Sequence, residues 1–352
     1  MFKQISLFIL LFFVFYGNVF AEDAEEVKEL IFYNWTAYID EDTIKEFEQK
    51  FNAKVKQAYF QFPEQRDETM LRKKGKGYDV ILLSGTYVET YYNRGWLLEL
   101  GKEKVPNLQH VDERWLNYWP KTENYAVPYL WGTTGIIYRS DMVKEEITSW
   151  KQFYQPAEYL KGKIMVLNLH QAAIGLALKS LGYSFNSENM KELKEVQTLL
   201  LAQKPYVQVY GVFKTDAESG IVTGDTWMGQ TWNGDALLLQ EQEPTLRYVV
   251  PKEGGEIWAD YLVVSSQSKQ PELAVQFVNF LQEPENNARC AEELAFAATN
   301  TKAKQFLSAE HLNNPIIYPA QDILDKSEVE RVPSPRVSRK LVMIWSKLIA
   351  NK

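Results

Sequence analysis

Between Leu30 and Ser84, three short apolar runs, Leu30 to Tyr33, Val55 to Phe60 and Asp79 to Ser84, alternate with two stretches of helical periodicity. The first of these puts Ile44, Phe47 and Phe51 on one face, and the second runs from Glu64 to Lys74. Strand, helix, strand, helix, strand in so short a span leaves little choice of fold. Parallel strands need crossover connections, and the helices supply them, so the pattern predicts a parallel α/β architecture. Strands of this kind are covered on both faces, and their carboxyl ends open into the crevice where ligands sit. Trp35 and Ser84 stand at two such ends.

A second α/β block is predicted from about Gly135 to Trp258. It holds a strand at Lys163 to Leu167, helices at 171–181 and 188–203, a strand at 206–210, and the glycine-punctuated segment GIVTGDTWMGQTWNGDA at 220–236. A strand from Ala259 to Ser265 leads into helices at 271–281 and 285–294, and the chain closes on a helix at 336–349 that lines up Leu341, Ile344, Trp345 and Leu348. No internal repeat and no low-complexity linker interrupts this order. Two closely packed lobes, with the chain crossing between them more than once, fit it better than separate beads.

The N-terminal stretch MFKQISLFILLFFVFYGNVFA has one lysine, an apolar run from Ile5 to Tyr16, and tolerated residues before Ala21. That is the pattern of a secretory signal peptide over 1–21. The expected location is the periplasm, with secretion to the outside left open. Beyond it, no stretch is long and apolar enough to cross a bilayer. Cys290 is the only cysteine, which excludes both a lipobox anchor and an intramolecular disulfide. The formal net charge of −7 becomes one unit more negative when Lys3 leaves with the signal. An acidic chain is a poor partner for nucleic acid or anionic lipid and is compatible with a cationic ligand.

Catalytic constellations are scarce. His110, His170 and His311 are scattered without ligand spacing, so no metal site is expected. There is no G-x-S-x-G elbow, no P-loop, and no G-x-G-x-x-G after a strand, and no cofactor is expected. Cys290, in ARCAEEL, reads as a small packing residue, and it is the only thiol that an enzyme on this scaffold could use. The aromatics carry more. On a strand, Trp258 and Asp260 share a face, a π surface beside a carboxylate. An indole face attracts a cation by roughly 0.5–2 kcal/mol, and a carboxylate adds a charge-assisted hydrogen bond. Several aromatic faces with a carboxylate make a box for a protonated alkylamine. The plainer alternatives are a strand end capped by core aromatics at 34–38, a buried aspartate held by backbone amides, and a turn at Asn233-Gly234.

The stretches FYNWTAYI, GYDVILLSGTY, VPYLWGTTGIIY, TSWKQFY with LKGKI after it, ALKSLGYS, QTWNGDA, VVPKEGGEIWADYLVV and AVQFVNFLQEPE follow one another in this order. In that order the chain resembles the periplasmic spermidine/putrescine-binding proteins, from about Leu30 to the C-terminal helix. The resemblance implies a two-lobed type II periplasmic binding protein, each lobe a mixed, mainly parallel sheet flanked by helices. Such a protein closes on a polyamine or related cationic amine and delivers it to an inner-membrane ABC permease and ATPase complex. Carried over, lobe 1 covers 27–134 and 260–304, and lobe 2 covers 135–259 and 305–352, with hinge strands near 132–136 and 256–261. The implied ligand-binding residues are Trp35, Thr36, Tyr38, Ser84, Thr86, Trp232, Trp258, Asp260, Phe296 and Glu330. Ala37, Leu169 and Ala172 stand where such proteins offer carboxylates, and Thr86 and Phe296 stand where they offer tyrosines. That leaves Asp260 as the one assured carboxylate, with Asp235, Glu330, Asp216 and Glu218 as substitutes if they face the cleft. A less charged amine, an amino-acid conjugate, or service to a periplasmic sensor stays open.

Overall fold

The computed structural model describes residues 27–119 and 121–350; the signal-peptide segment 1–21 lies outside the described residues. Among the described residues, eleven strands form one continuous sheet. In chain order they are β1 (Lys28–Trp35), β2 (Ala53–Phe60), β3 (Val80–Ser84), β4 (Val127–Arg139), β5 (Ile164–Leu167), β6 (Val207–Gly211), β7 (Met228–Trp232), β8 (Leu246–Val249), β9 (Glu256–Val264), β10 (Ala297–Ala298) and β11 (Glu328–Val329). The main order is β2-β1-β3-β9-β4-β7-β5-β6, with β8 and β10 paired to β4 and β11 to β9. Pairings of β1 with β2 and β3, and of β5 with β6 and β7, are parallel, as the crossover helices require. The long strands β4 and β9 run antiparallel to each other and to their neighbours β3 and β7, joining the two parallel halves.

The helices form where the sequence supplies both a cap and a buried face. Asp40 accepts a hydrogen bond from the Thr43 amide at 2.7 Å and so starts the helix Glu41–Phe51, which buries Ile44 and Phe47. The C-terminal helix Pro335–Ile349 buries Leu341, Ile344, Trp345 and Leu348. Among the described residues no helix is long and apolar enough to cross a membrane.

Two large hydrophobic clusters and a small third one define the lobes. The first gathers side chains from Leu30 to Trp131 and from Ile257 to Ile317; the second runs from Ile136 to Leu348; the third includes Ile137, Met165 and Leu239. On β4 the change of cluster falls between Trp131 and Ile136. On the second passage it falls just before Ile257. The chain returns once more near the end, since Val329 packs on the first cluster and Val337 on the second. Leu307 and Ile317, placed in the second lobe by the resemblance, are buried in the first cluster. The cause is local: His311 Nε2 lies 3.1 Å from the Phe296 carbonyl, and the Tyr318 ring stands edge-on to Trp131, so this segment covers the first core.

Candidate functional site

The strands that cross between the lobes bring one row of side chains to one face of the sheet. Side chains alternate along a strand, so Glu256, Trp258 and Asp260 of β9 face the same way. Their register partners are Thr134 and Gly132 on β4 and Ser84 on β3, and Thr134 is in turn paired with Trp232 on β7. The sheet register alone therefore assembles Ser84, Asp260, Trp258 and Trp232, together with Glu256.

Asp260 is 6% exposed. Burial raises its carboxyl above the ordinary range, while the Tyr38 and Ser84 hydroxyls and the Arg66 charge act in the opposite direction. The Tyr38 hydroxyl is buried, has no formed hydrogen bond, and lies close enough to Asp260 to feel its charge. Burial first, and Asp260 second, hold that phenol far above its usual value. The Tyr38 ring packs against Phe296 at 5.8 Å, and Phe296 meets the Trp258 ring edge-on at 4.8 Å. Phe296 also lies on Gly234, where a Cβ would come within 2.4 Å of the ring. Tyr38, Phe296, Trp258 and Asp260 thus form one connected wall.

From the second lobe, Trp232 ends β7 and packs against the first cluster. Asn233-Gly234, read from sequence as a turn, opens the helix Asn233–Gln242 instead. The reason is tertiary: the Asn233 Oδ1 accepts the Thr133 amide at 3.1 Å, and Gly234 leaves room for Phe296. Gly132 leaves room in the same way, since a Cβ there would lie 2.2 Å from Asn233 Oδ1 and 2.3 Å from the Trp258 ring. Asn233 Nδ2 and Trp258 Nε1 are buried without partners. Asp235, in the first turn of that helix, is pushed up to about 7 by burial. Its charge is felt by both Tyr38 and Tyr248.

At the other end of the β9 row, Glu256 is 7% exposed and accepts a 2.7 Å hydrogen bond from Thr134 Oγ1. β11 pairs with β9 in parallel, Glu328 opposite Glu256, which brings Glu330 to the same region. Burial holds both carboxyls above the ordinary range, and the Glu256 charge raises Glu330 further. Glu330 also acts on Tyr87, in the helix Gly85–Asn93. Among the described residues, Asp235, Glu256, Asp260 and Glu330 have no ion-pair partner.

The remaining expected residues each have their own surroundings. Trp35 is half-buried with its ring 4.3 Å from Phe60, while Thr36 and Ala37 are exposed in the turn that follows, Ala37 at φ +52°. Thr86 is half-buried one position into its helix. Leu169 precedes the helix His170–Ser180 and Ala172 is buried within it. Asp216 and Glu218 are exposed in a surface loop, where Glu218 pairs with Lys214, so they are not substitutes for the missing carboxylates. Cys290 is fully buried in the first core beside Tyr129, and burial raises its thiol, which removes the one thiol an enzyme could have used.

Sequence reasoning missed Glu256, although the period of two that paired Trp258 with Asp260 extends to it directly. It also missed Arg66. On a helix this residue reads as surface charge, yet its guanidinium is fully buried over Tyr87, Phe60 and Tyr91 at 4.5, 5.3 and 5.8 Å and bonded to Asp67.

A spermidine/putrescine-binding periplasmic protein of Salmonella typhimurium is 29% identical over 310 residues, covering 88% of each chain. A putrescine-binding periplasmic protein of Escherichia coli is 28% identical over 346 residues, covering 94% of this chain and 93% of its own. The crystal structure of a spermidine/putrescine ABC transporter substrate-binding protein from Streptococcus pneumoniae superposes with a TM-score of 0.81 at 26% identity, over 91% of this chain and 98% of that one. The family model for bacterial extracellular solute-binding proteins matches residues 42–319, and the chain belongs to that family.

Proposed function

We propose that this protein binds a cationic amine of the polyamine class between its lobes, in the periplasm, and hands it to an inner-membrane ABC permease and ATPase complex, acting as a carrier and not an enzyme. The observation that carries this is Asp260: a buried carboxylate flanked by the Tyr38 and Ser84 hydroxyls and walled by the Trp258 and Phe296 rings. An ammonium there gains a charge-assisted hydrogen bond and aromatic faces together. The relatives named for spermidine and putrescine support the same class. A singly charged ligand fits less well, because buried Glu256 and half-buried Asp235 and Glu330 would stay without a counter-charge. The mechanism follows from the crossings at 132–135 on β4, before Ile257 on β9, and after Val329. These are the proposed hinges, and a ligand that touches both lobes favours the closed state by its greater affinity for it.

Titration with a panel of di- and polyamines, read by tryptophan fluorescence, tests this. Binding is expected for the unaltered protein, and Asp260→Asn is expected to weaken it by about 1.5–3 kcal/mol, the contribution of a hydrogen bond to a charged group. No response to any amine of the panel would contradict the proposal.

A further inference from the structure

The C-terminal helix Pro335–Ile349 differs in charge from the rest of the molecule. The chain has a formal net charge of −7, yet this helix carries four cations, Arg336, Arg339, Lys340 and Lys347, and no acid. One side of it is taken up by the protein, since Val337, Leu341, Ile344, Trp345 and Leu348 are buried in the second cluster. On the opposite side, spacings of three, four and four residues set Arg336, Arg339, Met343 and Lys347 in one row along the axis. Val342 and Met343 are 50% and 55% exposed, and Ile349 is exposed near the end of the same helix. The protein does not neutralise the row. None of the four cations has an ion-pair partner among the described residues, and Lys340 donates to the neutral Gln197 amide at 2.8 Å. The carboxylates around the adjoining helix Met190–Gln203 are engaged elsewhere: Glu188 accepts the Ser334 amide, Glu192 is bonded to Ser187 and Asn189, and Glu195 to the Tyr183 hydroxyl.

We propose that this face of the C-terminal helix docks on an anionic phospholipid surface, lying in the plane of the bilayer without crossing it. Charge complementarity selects the occupant. At physiological salt, charges more than about 8 Å away are largely screened, so an approaching bilayer meets the four cations of the helix and not the negative sum of the chain. The guanidinium and ammonium groups reach lipid phosphates on their flexible stems, while Val342, Met343 and Ile349 enter the boundary between headgroups and acyl chains. An acidic protein segment would answer the charge alone; a bilayer surface answers the charge and the exposed apolar side chains together. Each cation near such a surface strengthens adsorption about fivefold, which gives a reversible attachment. Docking of this kind goes beyond amine binding and uses no residue of the cleft. It would keep the carrier on the membrane that holds the proposed permease.

Co-sedimentation of the exported protein with vesicles tests this, using phosphatidylcholine alone and an equal mixture of phosphatidylcholine and phosphatidylglycerol. At low salt the protein is expected to sediment with the mixed vesicles and not with phosphatidylcholine alone, and to be released as salt is raised. Arg339→Gln combined with Lys347→Gln is expected to lower partitioning by about tenfold to thirtyfold. Val342→Ser combined with Met343→Ser is expected to lower it as well, while leaving its salt dependence unchanged. All four side chains are exposed, and an unaltered unfolding midpoint checks that each variant is folded. No sedimentation with the mixed vesicles, equal sedimentation with both compositions, or unchanged partitioning in the folded Arg339/Lys347 variant would overturn the docking. Self-association without vesicles, removed by the same variants, would assign the face to a second copy of the chain and overturn it too. The amine titration described above is a separate measurement, so its failure and the failure of this docking are told apart.

Discussion

Asp235 carries the most direct pH signature at the scale of single residues. Its carboxyl is raised from 3.8 to about 7 by burial. A carboxyl whose folded value lies above its unfolded one binds more protons when folded, so it lowers stability as pH rises. The loss begins at the unfolded value, grows until the folded value is passed, and is constant above it. Asp235→Asn is therefore expected to match the unaltered, ligand-free protein in thermal unfolding near pH 4 and to exceed it increasingly up to about pH 7. A difference in midpoint that does not change with pH would contradict the burial assigned to this group. The same residue shows what was legible and what was not. Trp258 beside Asp260 could be read from sequence because the two share a strand face by period alone, whereas Tyr38 and Phe296 came only with the family resemblance. Asp235 and Glu330 could not be placed, because their positions depend on how a helix start and a two-residue strand pack across the lobes.

At the scale of elements, the early strands and helices were legible because each has a continuous apolar run or an apolar stripe, as in β1 and in the helix Glu41–Phe51. The helix Asn233–Gln242 was not, because Asn-Gly is a turn signal whenever tertiary contacts do not override it. What overrides it is the docking of Phe296 on Gly234 and the Asn233 bond to the Thr133 amide. Gly234→Ala would place a methyl 2.4 Å from the Phe296 ring and 2.8 Å from the Leu294 carbonyl oxygen. Overpacking of this kind costs about 1–3 kcal/mol. Because the clash lies between a second-lobe helix and a first-lobe loop, it is expected to weaken amine binding as well as lower the unfolding midpoint. An unchanged midpoint together with unchanged amine affinity would show that Phe296 does not seat on this helix.

At the scale of the whole molecule, the proposed binding cleft is acidic and lies between two lobes joined by β4, β9 and the segment around β11. Among the described residues four carboxyls have no ion-pair partner: Asp260 and Asp235 act on Tyr38, in the wall with Phe296 and Trp258, and Glu256 and Glu330 lie near each other further along β9. Closing such a cleft without a counter-charge is unfavourable, and closing it on a polycation is not. Small-angle scattering is expected to show a smaller radius of gyration with saturating spermidine than without it, and an unchanged radius would contradict closure on the ligand. The charge of the cleft can be isolated from its shape with two ligands of equal chain length, putrescine and 4-aminobutyrate, which differ in that one ammonium is replaced by a carboxylate. Calorimetry with both is the sharpest single measurement: putrescine is expected to bind and 4-aminobutyrate to give no measurable heat, whereas comparable binding of the two, or a preference for 4-aminobutyrate, would contradict a cleft built for cationic amines.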